Sequence, residues 1–237
     1  MKKTLILFLV ACSYLANAAG LAGVPIEKEV PVDHLYIPSG FDSNDNIEVV
    51  ITGFLPNLCH KNPSAKVNFT GGDINVEVTS LYYDESNPFC PEMVVPFTLP
   101  VSLGVLDSGE YKIAVNANNQ KSKSGRLVVQ ESVSNAIDNY HYAYVSNVLK
   151  KEGSHRIHLK GYNPSDCFVL DKIEAHSNKS DTFAILPKMK QIRDFCPMKM
   201  VPFTYEFDVP KTLSRKQILL HVRTMDGKSV NTIMLQP

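Results

Sequence analysis

The phrase FCPEMVVPFT at 89–98 returns as FCPMKMVPFT at 195–204, identical at seven of ten positions. In a chain of 237 residues this constrains the fold more than composition does, because whatever the first copy builds the second must build too. The match extends in both directions. GFLPNLC at 53–59 answers to GYNPSDC at 161–167, each with Pro three residues after Gly and Cys three after Pro. LDSGEYKIAV at 106–115 lines up with LSRKQILLHV at 213–222. The expected layout is therefore a tail over 19–30, one unit over 31–130, a linker over 131–137 and a second unit over 138–237. Each unit has ordinary domain size and should fold by itself.

The apolar spacing inside each unit is two. Phe97, Leu99, Val101 and Leu103 alternate with polar or small residues, as do Phe203, Tyr205, Phe207 and Val209. Tyr111, Ile113 and Val115 repeat the pattern, and so do Ile218, Leu220 and Val222. Period two puts one apolar set on one face of a half-buried strand. Turn residues at SGFDSNDN, TGGD, LDSG and MDGK punctuate about seven short strands per unit, which predicts an all-β chain of two β-sandwiches. A turn of helix is expected only at SNVLKKEG, 146–153. Pro96 and Pro202 lack a donor for the sheet ladder, so each marks the start of a strand or a sheet edge.

The chain opens with Lys2 and Lys3, a short apolar run from Leu5 to Leu15, and the small-residue site Ala16-Asn17-Ala18. This predicts a bacterial-type signal peptide over 1–18 and an exported protein, periplasmic or extracellular. LVAC at 9–12 offers the alternative of a lipoprotein anchored at Cys12. No later run reaches the roughly 18 apolar residues of a transmembrane helix. The remaining cysteines, Cys59, Cys90, Cys167 and Cys196, are an even set in an exported chain. Three pairings are possible, and the repeat selects Cys59 with Cys90 and Cys167 with Cys196, one disulfide per unit. No C-x-x-C or Cys/His spacing favours zinc.

LDSGEYKIAV also resembles the L-x-x-G-x-Y-x-[IV]-x-V run of fibronectin type III and bacterial immunoglobulin-like domains, through Leu106, Gly109, Tyr111, Ile113 and Val115. The resemblance implies tandem immunoglobulin-like sandwiches, with Tyr111 forming a corner whose hydroxyl bonds upstream backbone. The second copy departs from it, with Lys216 for the glycine and Ile218 for the tyrosine. What the resemblance implies is fold, not activity.

No catalytic constellation is legible. The four cysteines are committed to bridges, there is no G-x-S-x-G elbow, and the seven histidines are scattered. His155 and His158 point to opposite faces of a strand. DSNDN at 42–46 lacks the glycine and glutamate of a calcium loop and reads as a turn. No cofactor or metal is expected.

Binding features are easier to name. Tyr82, Tyr83 and Phe89 approach a stapled cysteine and are candidate recognition anchors, with one tyrosine of the adjacent pair packing inward. Tyr140, Tyr142 and Tyr144 fall on one face of a strand, expected to be the buried face. Residues 31–130 hold 11 acidic and 6 basic side chains, net −5, and residues 131–237 hold 11 and 15, net +4. Such halves suit head-to-tail association or contact of the second unit with an anionic surface, with Lys188, Lys190 and Arg193 as its candidate contacts. The balanced total gives no reason to expect nucleic acid. The expected function is a non-enzymatic binding or structural module at the bacterial envelope or secreted, engaging a protein, polysaccharide or envelope surface. A two-domain periplasmic assembly chaperone is the alternative, and an enzyme the third.

Overall fold

The computed structural model describes residues 24–83, 89–133, 141–150, 154–209 and 217–235, and every regular element in them is a strand. The expected signal peptide, Cys12, Tyr140 and most of the expected linker lie outside the described residues.

The first half runs β1 (Ile26–Glu29), β2 (Val32–Tyr36), β3 (Phe41–Asp42), β4 (Ile47–Leu55), β5 (His60–Thr70), β6 (Asp73–Tyr82), β7 (Val95–Gly104), β8 (Gly109–Val115) and β9 (Lys123–Gln130). One sheet is β2-β4-β7; in the other, β5 flanks one side of β6, while β1 and β8 share its second side and β9 and β3 follow β8. The second half runs β10 (His141–Tyr142), β11 (Tyr144–Lys150), β12 (Arg156–Asn163), β13 (Phe168–Ser177), β14 (Thr182–Gln191), β15 (Val201–Asp208), β16 (Gln217–Thr224) and β17 (Lys228–Leu235). Its pairings repeat those of the first: β11-β12-β15 in one sheet, and β13, β14, β16 and β17 in the other with β10 against β14. Each half closes over its own apolar core. Ile47, Val49, Ile51, Ile74, Val76, Ile113 and Leu127 centre the first, and Val145, Ile157, Leu159, Phe183, Ile185, Ile218 and Leu220 the second.

Three pairings depart from the antiparallel sheets of an immunoglobulin sandwich, the short parallel contact of β3 with β9 (Phe41↔Val129, Asp42↔Gln130) and two longer ones. β6 runs parallel to β8 in register from Asp73↔Lys112 to Val76↔Val115, and β14 runs parallel to β16 from Thr182↔Leu219 to Ile185↔Val222. The cause is the long β5–β6 hairpin, closed at Gly71 in the left-handed region (φ 60°). It places its second strand, not its first, beside β8. The chain then crosses through β7 in the opposite sheet, the kind of crossover that parallel neighbours require.

SNVLKKEG forms no helix among the described residues. Ser146–Lys150 belong to β11, because Val145 and Val148 are buried in the second core and pairing with β12 outweighs local propensity. The tyrosine row is also broken. The chain changes sheets at Ala143, so Tyr142 on β10 is buried against Ala184 and Leu186, while Tyr144 on β11 is exposed. The first half makes the same change between β1 and β2, where Asn116 Nδ2 donates to Val30 O at 3.1 Å. In the second half, Thr224 Oγ1 donates to Ala143 O at 3.1 Å.

The two halves meet over the outer face of β2-β4-β7. Tyr36 and Val50 pack on Leu219, with Ile233 beside them. This explains why β16 shows almost no burial alternation: Ile218, Leu220 and Val222 face the second core while Leu219, His221 and Arg223 face the first half. Arg223 donates to Asp45 Oδ2 and to Gly40 O, both at 2.7 Å, with its guanidinium 4.2 Å from the centre of the Phe41 ring. Glu48 accepts from Ser229 Oγ and Asn231 Nδ2, and His34 Nε2 lies 2.7 Å from Asp181 Oδ2. The DSNDN turn thus serves this contact. Asp42 Oδ1 accepts from Asn44 N, while Asp45 Oδ2 accepts from Asp42 N as well as from Arg223.

Candidate binding surface

The repeated phrase leaves the sheet and is tied down at both ends. In the first half the loop after β4 turns at Asn57, whose Oδ1 accepts from Cys59 N at 3.0 Å. Cys59 bonds to Cys90 with Cα atoms 5.5 Å apart, Leu58 N donates to Pro91 O, and Tyr83 N donates to Cys59 O. In the second half Ser165 Oγ accepts from Cys167 N, Cys167 bonds to Cys196 with the same 5.5 Å Cα separation, and Lys199 N donates to Pro164 O. After each ridge the chain enters an edge strand, β7 or β15, with Pro96 and Pro202 as second residues.

Around the staple and up to the strand, each half presents apolar side chains to water. Phe89 is 82% exposed and Phe195 83%, at equivalent positions of the repeat. Met93 and Val94 follow in the first half; Met198, at 100%, and Met200 follow in the second. Burying any one of these Phe or Met side chains against another surface would be favourable by about 1.5–3 kcal/mol, which makes the two exposed apolar ridges the candidate binding surface. Beside the second ridge lies a groove of 360 Å³ whose walls are chiefly apolar: Tyr144, Tyr162, Met198, Met200 and Met225, with Lys199 among its lining residues. The aromatic walls come from the two strands that the sheet change at Ala143 brings together, β11 and β12.

Of the anchors expected from sequence, Phe89 stands in this surface. Tyr82 does not: it is 7% exposed, its ring 4.7 Å from that of His60 and capped by Lys28 Nζ at 3.7 Å. It is the inward member of the adjacent pair, and it supports the staple from below. Tyr83 is half-buried. His60 Nδ1 lies 2.6 Å from Ser80 Oγ, and burial, with Lys28 nearby, lowers its pKa.

The cationic cluster is also redistributed. Lys188 is buried and paired with Glu174 at 2.5 Å, so it cannot face a surface; Glu174 is bridged by Lys172 as well, and the two lysines hold its carboxyl below the usual range. Lys190 pairs with Asp171 at 3.2 Å, and Arg193 is exposed. Tyr111 OH donates to Asp107 O at 2.9 Å.

Sequence reasoning overlooked Phe195, Met93, Met198 and Met200. The signal that could have found Phe195 was the repeat itself, which sets it where Phe89 stands. Among the described residues no group of three or more His, Cys, Asp and Glu is placed to hold a metal, and no helix is long and apolar enough to cross a membrane.

A family described as the ORF11 beta-sandwich domain matches residues 49–127, from within β4 to within β9. The matched segment contains the first disulfide, its ridge and the parallel β6–β8 pair. No curated protein and no solved structure matches the chain.

Proposed function

We propose that the chain is an exported, non-enzymatic binding module of two tandem sandwiches, of broadly immunoglobulin-like layout, that recognises a partner through its disulfide-held ridges. One observation carries the reading: two halves that differ widely elsewhere both hold a Phe more than four-fifths exposed at the same position beside a disulfide. A disulfide that stiffens the backbone beside each exposed Phe lowers the entropy lost on binding. The Lys2–Ala18 segment and the two disulfides support an exported, oxidising setting. Strand addition of the kind a pilus-type assembly chaperone uses is disfavoured at the free edge of β7, where Pro96 and Pro100 interrupt the ladder.

The test is a photoreactive amino acid placed at Phe89, at Phe195 and, as control, at Phe69, an exposed apolar position on β5. Irradiated cells should yield discrete high-mass adducts from the two ridge positions and none from the control. Absence of adducts from both ridges would overturn the proposal.

A further inference from the structure

We infer that the partner is a second copy of this chain, the first-half ridge of one molecule seating in the second-half groove of the next. This rests on the reading of the ridges as recognition surfaces and names what one of them meets. The two surfaces differ in shape. The first is an exposed run of Phe89, Met93 and Val94; the second adds the groove of 360 Å³ between Tyr144, Tyr162 and the methionines. That volume is at the small end of ligand sites and suits one or two inserted side chains. Methionine walls adapt to such an insertion.

Charge then selects the pairing. The three positions at which the repeated ten-mers differ are all in the exposed stretch: Glu92, Met93 and Val94 against Met198, Lys199 and Met200. The stretch carries an acid, Glu92, in the first copy and a base, Lys199, one position further along the phrase in the second. Lys188 and Lys190 are already paired with Glu174 and Asp171, and Arg193 and Asp194 offset each other, so the charge each described stretch offers is Glu92 in the first and Lys199 in the second. Ridge against ridge would oppose like charges, whereas ridge against groove pairs opposite ones. The contact between the halves of one molecule draws on other groups, Asp45, Glu48 and Arg223, and Glu48 is about 23 Å along β4 from Leu55 at the base of the first ridge. Gln217 and Ile233 of the second half line a cleft with Pro96 and Phe97 beside the ridge, yet Met93 and Val94 remain 57% and 61% exposed with both halves in place, which leaves them open to another molecule. A head-to-tail contact of this type joins unlike surfaces, so each added molecule carries a fresh ridge and a fresh groove.

The experiment is sedimentation velocity on the purified protein over a range of concentrations at low and high salt. The expected mass rises with concentration past that of a dimer, and high salt weakens the association. The ridge variant Phe89→Ser/Met93→Ser and the groove variant Met198→Ser/Met200→Ser should each remain monomeric, with affinity reduced about a hundredfold. Mixed in equal amounts, they should form a dimer and nothing larger, since one retains a groove and the other a ridge. Glu92→Lys should weaken association about two- to fivefold, and Glu92→Lys/Lys199→Glu should restore it. A wild type that stays monomeric, or stops at a dimer, or a mixture of variants that stays monomeric, would each overturn the inference. If the wild type is monomeric while photoadducts to another macromolecule persist at Phe89 and Phe195, the inference fails and the ridges remain recognition surfaces. If both association and adducts are missing, both fail.

Discussion

Gly53 and Gly161 occupy the same register, opposite Phe97 and Phe203 on the neighbouring edge strand. A Cβ at either would collide with the carbonyl oxygen of Pro31 or Tyr144, where the first strand changes sheets, and would lie 2.7 or 2.8 Å from the ring of the facing Phe. Gly161→Ala should therefore lower stability to chemical denaturant by about 1–3 kcal/mol, and Gly53→Ala similarly, measured from unfolding midpoints at constant slope. The glycines were visible in the sequence as the first letter of GFLPNLC and GYNPSDC. Their reason was not, because the crowding atom belongs to a strand more than fifteen residues away. Arg223 teaches the same lesson at the contact between the halves. It is 6% exposed and its nearest carboxylate, Asp45, has its pKa raised because burial outweighs the attraction of Arg223. Asp45→Ala leaves the guanidinium buried with Gly40 O and the Phe41 face, and should cost roughly 3–5 kcal/mol. Asp45→Ala/Arg223→Met should recover much of that loss, and a double-mutant cycle on thermal or denaturant unfolding reads the difference. Asp45 was legible only as part of a turn and Arg223 not at all, since the partners are 178 positions apart.

At the scale of elements, the disulfides close loops spanning 31 and 29 residues, and each should contribute about 3–4 kcal/mol by restricting the unfolded chain. Cys59→Ser/Cys90→Ser should lower the stability of the first half by that amount and leave the second half's hydrogen exchange unchanged. In the same variant the amides of Leu58 and Met93, which donate to Pro91 O, should exchange faster, because the ridge loses its main tether. Equal acceleration in both halves would contradict separate staples. Alternation made most strands legible: β7 and β15 show nearly the same alternating burial their sequences announce. Where legibility failed, a second buried face was the cause. β14 is buried over eight successive residues because Tyr142 covers the face away from the core, and Lys188 is drawn into that face beside Glu174. The order of strands was not legible at all. Period two identifies a strand and its inward residues but carries no mark of its neighbour, so the parallel β6–β8 and β14–β16 pairs had no local signature.

For the molecule as a whole, the charge split of −5 and +4 was plain in sequence, but its use was not. Part of it joins the halves within one chain through Asp45, Glu48, Arg223 and their neighbours, and His34 with Asp181 runs in the opposite sense. Three histidines line that contact. His34 pairs with Asp181; His176 packs its ring against Gly40, whose φ of 83° lets the backbone approach; His221 is buried edge-on to Phe41. Burial lowers the pKa of His176, and it pushes that of His221 down to about 4 despite the hydrogen bond to Asn231. Both rings are therefore neutral in the folded protein at pH 7. As pH falls below about 6.5 the unfolded chain takes up these protons first, so stability drops, by about 3 kcal/mol from His221 alone at pH 4. Asp181 adds to the loss at lower pH. Burial raises its pKa, but hydrogen bonds from His34, Asn178 and Thr182 outweigh that and hold it low, so its contribution disappears as pH falls through the folded value. Asp45, with its raised pKa, works in the other direction and offsets part of this. Unfolding midpoints should thus decline from pH 7 toward pH 4, and His221→Gln, which cannot titrate, should flatten most of the decline while lowering the plateau. Because His221 joins the halves and does not touch either ridge, the same variant should leave photoadducts at Phe89 and Phe195 unchanged at pH 7. A profile as steep in His221→Gln as in the wild type would place the acid sensitivity elsewhere than in the joint between the two sandwiches.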